Sequence, residues 1–422
     1  MTKFIMTFYS SAISIYPADE AEAYLNPLFK MLKYDDQFNG GSEKVLGYII
    51  EEDTNTLYVT RGVNTKFVER LLMNYTEFIH KPYEPEDMMY SYDEIVPPRD
   101  ENQADVIDFI SSQGPFKEDI NESQLFVEMA PGFGKTYCTT VGAFRYGKKC
   151  FIIAHKENII QQWAETLVEK AGFREDRIHR ISAKELYDAR LPENKLDYDV
   201  FLCLHASVRN AIKAMTINEC EQAMKNLGIG LKVVDEAHLN FGNTILMDLC
   251  FHVPRNLYLT ATAGRSVDRE NTIFHKVFSK AKFYKPSSLS LIKETKKWVD
   301  YTIVHINTHI PKGVETYRLI GNRGMTTAKY GTVIVQPDKS RSYIGCTLDI
   351  IKTCFNKYDF SKILVLLPTI QLCNIFEEEI TNLNYDESFK FSVKVGTIHS
   401  GNSKDYNEDC KSKDIICSTI QS

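Results

Sequence analysis

The 422-residue chain lacks any apolar run near the roughly 18 residues that a membrane-crossing helix needs; Ile363–Leu367 is typical of its longest. It lacks a Cys-x-x-Cys pair, and no cysteines and histidines stand at zinc-knuckle spacing, so its 10 cysteines read as single reduced thiols. The first 30 residues carry Lys3 but no sustained apolar block, and they do not read as a signal peptide. Cytoplasmic residence is the expectation, in a host cell if the source is viral. An excess of basic charge is also missing: 50 Lys and Arg face 56 Asp and Glu, which argues against a simple basic nucleic-acid coat protein. Nor is there low-complexity bias, since 43% apolar and 25% charged residues are ordinary for globular domains and exclude a disordered, collagenous or coiled-coil chain.

What is present is unevenly placed. Residues 1–95 hold 8 Lys/Arg against 16 Asp/Glu, leaving 42 against 40 in the remainder, so an acidic front precedes a near-neutral body with room for a local basic groove. At about 150 residues per domain, the length predicts two or three domains. The segment 3–16 is rich in β-formers, and 19–32 is helical behind Pro17. KVLGYIIEED and TLYVTRG flank Thr54-Asn55 as a hairpin, and 65–73 closes the unit as a helix. This predicts a small α+β domain over 1–95. The stretch 81–99, rich in Pro, Tyr and acids and ending in Pro97-Pro98, reads as an extended linker.

Beyond it, apolar runs alternate with helical segments. QLFVEMA (124–130), CFIIAH (150–155), YDVFLCL (198–204), LKVVDEAH (231–238) and NLYLTAT (256–262) read as strands; 135–146 and 157–171 read as helices closed by Gly147 and Gly172. Nearly continuous apolar strands between helices predict a parallel sheet covered on both faces, with ligands at the carboxyl ends of its strands. After a less regular stretch at 265–297, a second such pattern follows: strands at 301–306, 362–368, 393–399 and 414–419, helices at 340–355 and 370–381. The expected domains are 1–95, 96–284 and 285–422.

The strongest local signal is APGFGKT (130–136), between a strand and a helix. Pro131, Gly132, Phe133 and Gly134 form a curl whose backbone N–H groups can face phosphate oxygens, and the helix N-terminus adds its dipole. Lys135 suits the β- and γ-phosphates, and the Thr136 hydroxyl suits Mg²⁺. Met129 stands where the first glycine of G-x-x-x-x-G-K-T belongs, which leaves a bare glycine turn as the alternative. VVDEAH (233–238) supplies the complement: Asp235 to hold Mg²⁺, and Glu236 to orient and deprotonate a water. Both elements end predicted parallel strands, where one crevice receives both.

Asp-Glu-Ala-His after a glycine phosphate loop, then Thr260-Ala261-Thr262 at the next strand end, resembles a superfamily 2 helicase. The resemblance runs from about 99 to 420. It is strongest to members of the UvsW type from phages and large DNA viruses, which carry a small α+β domain ahead of the motor and act on branched DNA. It implies an α/β protein with tandem RecA-like parallel-sheet motor domains behind the small α+β domain, using ATP and Mg²⁺. It implies adenine contacts from Arg99 and Gln103, coupling through His238, Thr260 and Thr262, and nucleic-acid contacts from His155, Lys156, Thr369 and His399. Trp163, beside Ile159 and Ile160, reads as core. The family's arginine motif would follow the strand at 414–419, so the second motor domain is expected to be incomplete here and hydrolysis correspondingly poor.

Three readings stay open: a DNA translocase or helicase acting on single-stranded or branched DNA in replication, recombination or repair; an RNA helicase; and a nucleotide-gated clamp without motor activity. A restriction-type translocase subunit would need a Pro-Asp…Glu-x-Lys nuclease cluster, which the sequence does not offer. A monomer is expected. The acidic first 95 residues are expected to face protein or position a junction, with Arg61 and Lys66 as DNA contacts. The basic segment 312–331 reads as a solvated loop or a wedge.

Overall fold

The computed structural model describes residues 3–36, 42–45, 47–80, 83–89, 96–111, 123–129, 132–239, 241–261, 268–284, 320–321, 324–325, 343–358, 362–367, 369–385, 392–399 and 401–419. The chain divides into two compact units, 1–35 with 43–298 and 36–42 with 299–422.

The first unit opens with β1 (Phe4–Phe8), β2 (Ala12–Tyr16), α1 (Ala18–Leu32), the short strands β3 (Lys33–Asp36) and β4 (Ser42–Val45), β5 (Tyr48–Glu51), β6 (Thr56–Thr60), α2 (Thr65–Leu72) and β7 (Tyr75–Ile79). Its main sheet has the order β5-β6-β2-β1-β7. The hairpin falls where it is predicted, with Glu51 opposite Thr56. Asn64 starts α2 by accepting a hydrogen bond from the Phe67 N–H, the capping that its short side chain favours. Strand β7 is not foreseen from sequence; it runs parallel to β1, a long-range pairing that local pattern does not encode.

There follow α3 (Glu101–Ser111), β8 (Gln124–Glu128), α4 (Lys135–Tyr146), β9 (Cys150–Ala154), α5 (Glu157–Ala171), β10 (Ile178–Arg180), α6 (Ala183–Asp188), β11 (Val200–Leu204), α7 (His205–Ile212), α8 (Ile217–Asn226), β12 (Leu231–Val234), α9 (Phe241–Cys250), β13 (Arg255–Thr260), α10 (Asp268–Val277) and β14 (Lys282–Tyr284). Seven strands form one parallel sheet of order β10-β11-β9-β12-β13-β8-β14. Side chains alternate along each strand, so neighbours enter opposite cores. Leu125, Val127, Ile152, Leu202 and Val233 join the layer under α3, α4 and α5. Phe126, Phe151, Ile153, Phe201 and Tyr258 face the other way, into a core that also contains Phe4, Met6, Ile13, Leu57 and Val59 of the N-terminal sheet. The α+β module and the first parallel sheet therefore share one hydrophobic core.

Polar contacts reinforce that seam. Ser11 Oγ donates to the Asp248 carbonyl at 2.6 Å, and Ser123 Oγ donates to the Ser10 carbonyl at 2.5 Å. Asp248 is itself wholly buried, paired with Lys232 at 2.6 Å and accepting from the Tyr258 hydroxyl at 2.6 Å, so both charges of the ion pair are met. Of the two expected DNA contacts, Arg61 is half-buried and donates to the Tyr9 carbonyl at 2.7 Å, and Lys66 is exposed. The stretch expected as a linker is, over 83–89, a strap along the sheet. Glu86 and Met88 N–H groups bond the Gly228 and Gly147 carbonyls, Met89 N–H bonds Asp199 Oδ1, and the Glu86 carboxylate holds Lys149 and Lys195.

The second unit contains short strands β15 (Ile320–Gly321) and β16 (Gly324–Met325), then α11 (Tyr343–Tyr358), β17 (Ile363–Leu367), α12 (Ile370–Tyr385), β18 (Val395–Ile398), α13 (Lys404–Cys410) and β19 (Ile415–Thr419). Its three parallel strands take the order β17-β19-β18, over a core of Leu348, Phe355, Leu372, Phe376 and Cys417. The predicted strand 301–306 and most of the basic segment 312–331 lie outside the described residues.

Two outcomes are expected. A Cβ at Gly62 would stand 1.9 Å from the Val277 carbonyl oxygen, so Gly62→Ala must displace backbone at the seam and should lower the melting temperature by several degrees, an overpacking cost of roughly 1–3 kcal/mol. At the same seam Glu221 meets His80 at 2.6 Å and His252 at 3.4 Å, while Tyr9 stacks on His252 at 3.9 Å. Burial opposes the Glu221 charge, but the hydrogen bonds from His252 and His80 hold the carboxyl down at about 2; burial pushes His252 below its ordinary value. A depressed carboxylate stabilises the fold above the unfolded value of 4.5 and loses that contribution as pH falls toward about 2. A histidine kept neutral by burial also disfavours acid. Thermal melts in acid should therefore show a shallower pH slope for Glu221→Gln than for the native chain.

Candidate active site

The motif at 235–238 is threaded between two strands. The Asp235 N–H bonds the Ile153 carbonyl on the β9 side, and the Ala237 N–H bonds the Leu259 carbonyl on the β13 side, both at 2.9 Å. Between them Glu236 takes a left-handed backbone (φ 47°), a conformation that costs an L-residue of this size about 1–3 kcal/mol and marks functional turns. That crossover brings the carboxylates to the strand ends beside the glycine curl. Lys135 Nζ contacts Glu236 Oε1, joining residues 101 positions apart.

The curl follows from its residues. Gly132 and Gly134 have φ of 80° and 95°, and a Cβ at Gly134 would also lie 2.7 Å from Gln103 Nε2. Phe133 is buried in the α3–α5 core. Met129, standing in place of a glycine, continues β8: its N–H bonds the Thr260 carbonyl and its side chain fills the same core. Lys135 then starts α4, with Gly134 as N-cap and Thr136 half-buried in the first turn.

Gln103 is a brace for this loop. It is buried, its Oε1 accepts from the Arg99 N–H at 2.8 Å, and its Nε2 donates to the Phe133 carbonyl at 2.7 Å. The Arg99 side chain is exposed and pairs with Asp100.

Burial is the dominant influence on Asp235, pushing its carboxyl above the usual range against the Trp163 N–H and the Lys135 charge. His238 Nδ1 lies 2.7 Å from Thr260 Oγ1 and 3.3 Å from Glu236 Oε2. The shorter approach takes the hydrogen bond, and buried Glu236 Oε2 has no hydrogen-bond partner among the described residues. The resulting set is a cation, an acceptor-rich acid, a second buried acid and a hydroxyl at one edge of the sheet. Such a set can bind and activate a polyphosphate with a hydrated cation.

The other predicted residues divide. His155 and Lys156 lie between the end of β9 and α5, Lys156 as the α5 N-cap. Thr369 serves α12, its Oγ1 accepting from the Leu372 N–H at 3.2 Å. His399 differs from an exposed contact: it is buried, its Nδ1 accepts from the Gly401 N–H at 3.1 Å, and its Nε2 lies 3.3 Å from Asn374 Oδ1. Its ring closes a turn inside the second unit. Pro131 and Thr262 lie outside the described residues.

Two residues escape the sequence reading. Trp163, read as core, also donates its indole N–H to Asp235 Oδ2 at 2.9 Å. His205, the first residue of α7, is buried close to the Asp235 backbone; burial, with His155 nearby, pushes it down to about 4. The only sequence hint was a polar atom in an otherwise apolar setting, on a helix stripe for Trp163 and just past a strand for His205.

Residues 65–265 match the family described as type III restriction enzyme, res subunit. No curated protein matches the chain. Among solved structures it is similar to the UvsW helicase of bacteriophage T4. One crystal structure is 16% identical, with a TM-score of 0.41 over 68% of this chain and 100% of that one. A second T4 UvsW structure is 14% identical, with a TM-score of 0.41 over 99% and 80%. The Hef helicase domain of Pyrococcus furiosus is 12% identical, with a TM-score of 0.41 over 76% and 86%. The family match over 65–265 spans the glycine curl, the 235–238 turn and six of the seven strands of the parallel sheet.

Gln103→Ala leaves the Phe133 carbonyl and the Arg99 N–H without their side-chain partner, at about 1–3 kcal/mol for buried groups. Calorimetry should show a melting temperature lower by a few degrees, together with faster proteolysis at 132–136.

Proposed function

We propose that this chain binds ATP with Mg²⁺ at the 132–136 curl and the 235–238 turn, and uses hydrolysis to translocate on or remodel DNA, single-stranded or branched, in replication, recombination or repair. The observation that carries the reading is the meeting of Lys135 with Glu236 beside buried Asp235, at the end of a parallel sheet.

The residues suit the cation. Among the described residues no cluster of three His, Cys, Asp or Glu forms an all-protein cage. Magnesium characteristically binds through one or two carboxylates plus substrate phosphates, keeping several waters. Asp235 and the Thr136 hydroxyl are the donors that would hold it, and when bound it supplies neutralising charge across the phosphate oxygens. The rest falls to this chain's own groups. The Gly132–Gly134 curl and the α4 N-terminus bind phosphate through backbone N–H groups. Lys135 adds a point charge, and Glu236, with Oε2 unspent, accepts the proton of the attacking water. His238 is held by Thr260 at the end of β13, with its ring 3.3 Å from that acid. Arg99 borders the nucleotide side, while His155 and Lys156 offer polar groups to a phosphate backbone. Thr369 is proposed as a further backbone contact at the α12 N-terminus.

The test compares native, Lys135→Ala and Glu236→Gln chains in binding a fluorescent ATP analogue with Mg²⁺, and in hydrolysis with forked DNA or structured RNA. Lys135→Ala should weaken binding at least tenfold. Glu236→Gln should bind normally and lose roughly 10²–10⁴ in rate, the usual contribution of a general base. Native-like behaviour of both variants overturns the assignment; stronger stimulation by RNA overturns the choice of DNA.

A further inference from the structure

The polar contact least expected from the sequence lies behind the acidic turn. Ile160, Trp163, Leu167 and Ala171 are the buried stripe of α5, and Trp163 is the one member with a hydrogen-bonding atom. A buried indole N–H needs an acceptor. Here it takes a single carboxylate oxygen, Asp235 Oδ2, at 2.9 Å, rather than a backbone carbonyl of its surroundings. Asp235 is only 6% exposed, so water contributes little to orienting its carboxylate. The Asp χ2 torsion is broad and has no sharp well of its own, so its donors, the Trp163 indole and the neighbouring Glu236 backbone, decide where the two oxygens point. The main chain is fixed from the same side: the Asp235 N–H bonds Ile153 of β9, the strand that leads directly into α5. One strand-helix element thus holds both the backbone and the side chain of Asp235.

We propose that Trp163 is a positioning residue: by occupying Oδ2 it fixes the carboxylate and pre-orients Asp235 for the magnesium that accompanies nucleotide. The proposal rests on the nucleotide reading above. Outer donors that orient a metal ligand typically contribute 10–100-fold in metal affinity. The indole ring, by contrast, contributes packing that phenylalanine largely preserves.

The experiment is a Mg²⁺ titration of fluorescent ATP-analogue binding by native, Trp163→Phe and Asp235→Asn chains, with a ligand-free thermal melt of each. Trp163→Phe should need 10–100-fold more Mg²⁺ for half-maximal binding, while binding at saturating Mg²⁺ stays within about threefold of native. An unchanged Mg²⁺ midpoint, whether or not the melt falls, overturns the proposal and leaves Trp163 as packing. Asp235→Asn separates the two layers: if it too leaves Mg²⁺ dependence untouched, the nucleotide reading itself fails. Should Trp163→Phe not fold, the native indole reports instead. The chain has 2 tryptophans, so Trp298→Phe isolates Trp163 emission. That emission should change when Mg²⁺ is added with ATP and not with ATP and a chelator; emission indifferent to Mg²⁺ overturns the proposal.

Discussion

The site depends on a handover of backbone hydrogen bonds. Strand β12 lies between β9 and β13, and the residues just past its end bond first to one neighbour, through Asp235, and then to the other, through Ala237. Glu236 sits at the change and must turn left-handed to make it. Because parallel strands all end at one edge, this local turn is enough to set two carboxylates beside a loop that left the sheet two strands away. The acids are in place because the sheet is in register.

What surrounds the turn is selective in its use of hydrogen bonds. Gln103 commits its amide to the backbone of the 132–134 curl, His238 engages Thr260, and Trp163 meets Asp235. Glu236 Oε2 is left with acceptor capacity at the one place where the proposed chemistry asks for it. The polar atoms that stabilise the loop and the one that would act on a water belong to different residues. That division permits stability and activity to be altered separately.

The fold was readable where physics is local. Strands buried on both faces show as continuous apolar runs, and the β8, β9, β11, β12 and β13 segments fall where those runs do. Helices α4 and α5 end at glycines that adopt left-handed backbone, Gly147 and Gly172. The short edge strands β10 and β14, three residues each, carry too little pattern to announce themselves. Strand β7 depends on a partner some seventy residues earlier. At the site, the glycine curl and the acidic pair were legible as residue types in order. Gln103 was legible as a position, although its role as a brace needed the Phe133 carbonyl in view. His399 read as a contact because its neighbours resemble a family motif; that it also joins the Gly401 turn to Asn374 on α12 is visible only in three dimensions. Trp163 was masked by its own stripe, since apolar periodicity says nothing about where one N–H points.

The strap at 83–89 changes what kind of object the acidic front is. A Pro-rich, charged stretch suggests a joint about which two bodies swing. Its Glu86 is instead clamped by two lysines from beyond the first β-α unit, and Met89 is tied to a wholly buried aspartate. With Tyr9 stacked on His252 and both sheets draining into one core, the front has no independent inside. Cutting the chain near residue 95 would therefore not release a cassette. It would expose greasy surface on both fragments, and each would be prone to clump. Whatever the acidic front touches, it carries that load straight into the sheet that holds Asp235.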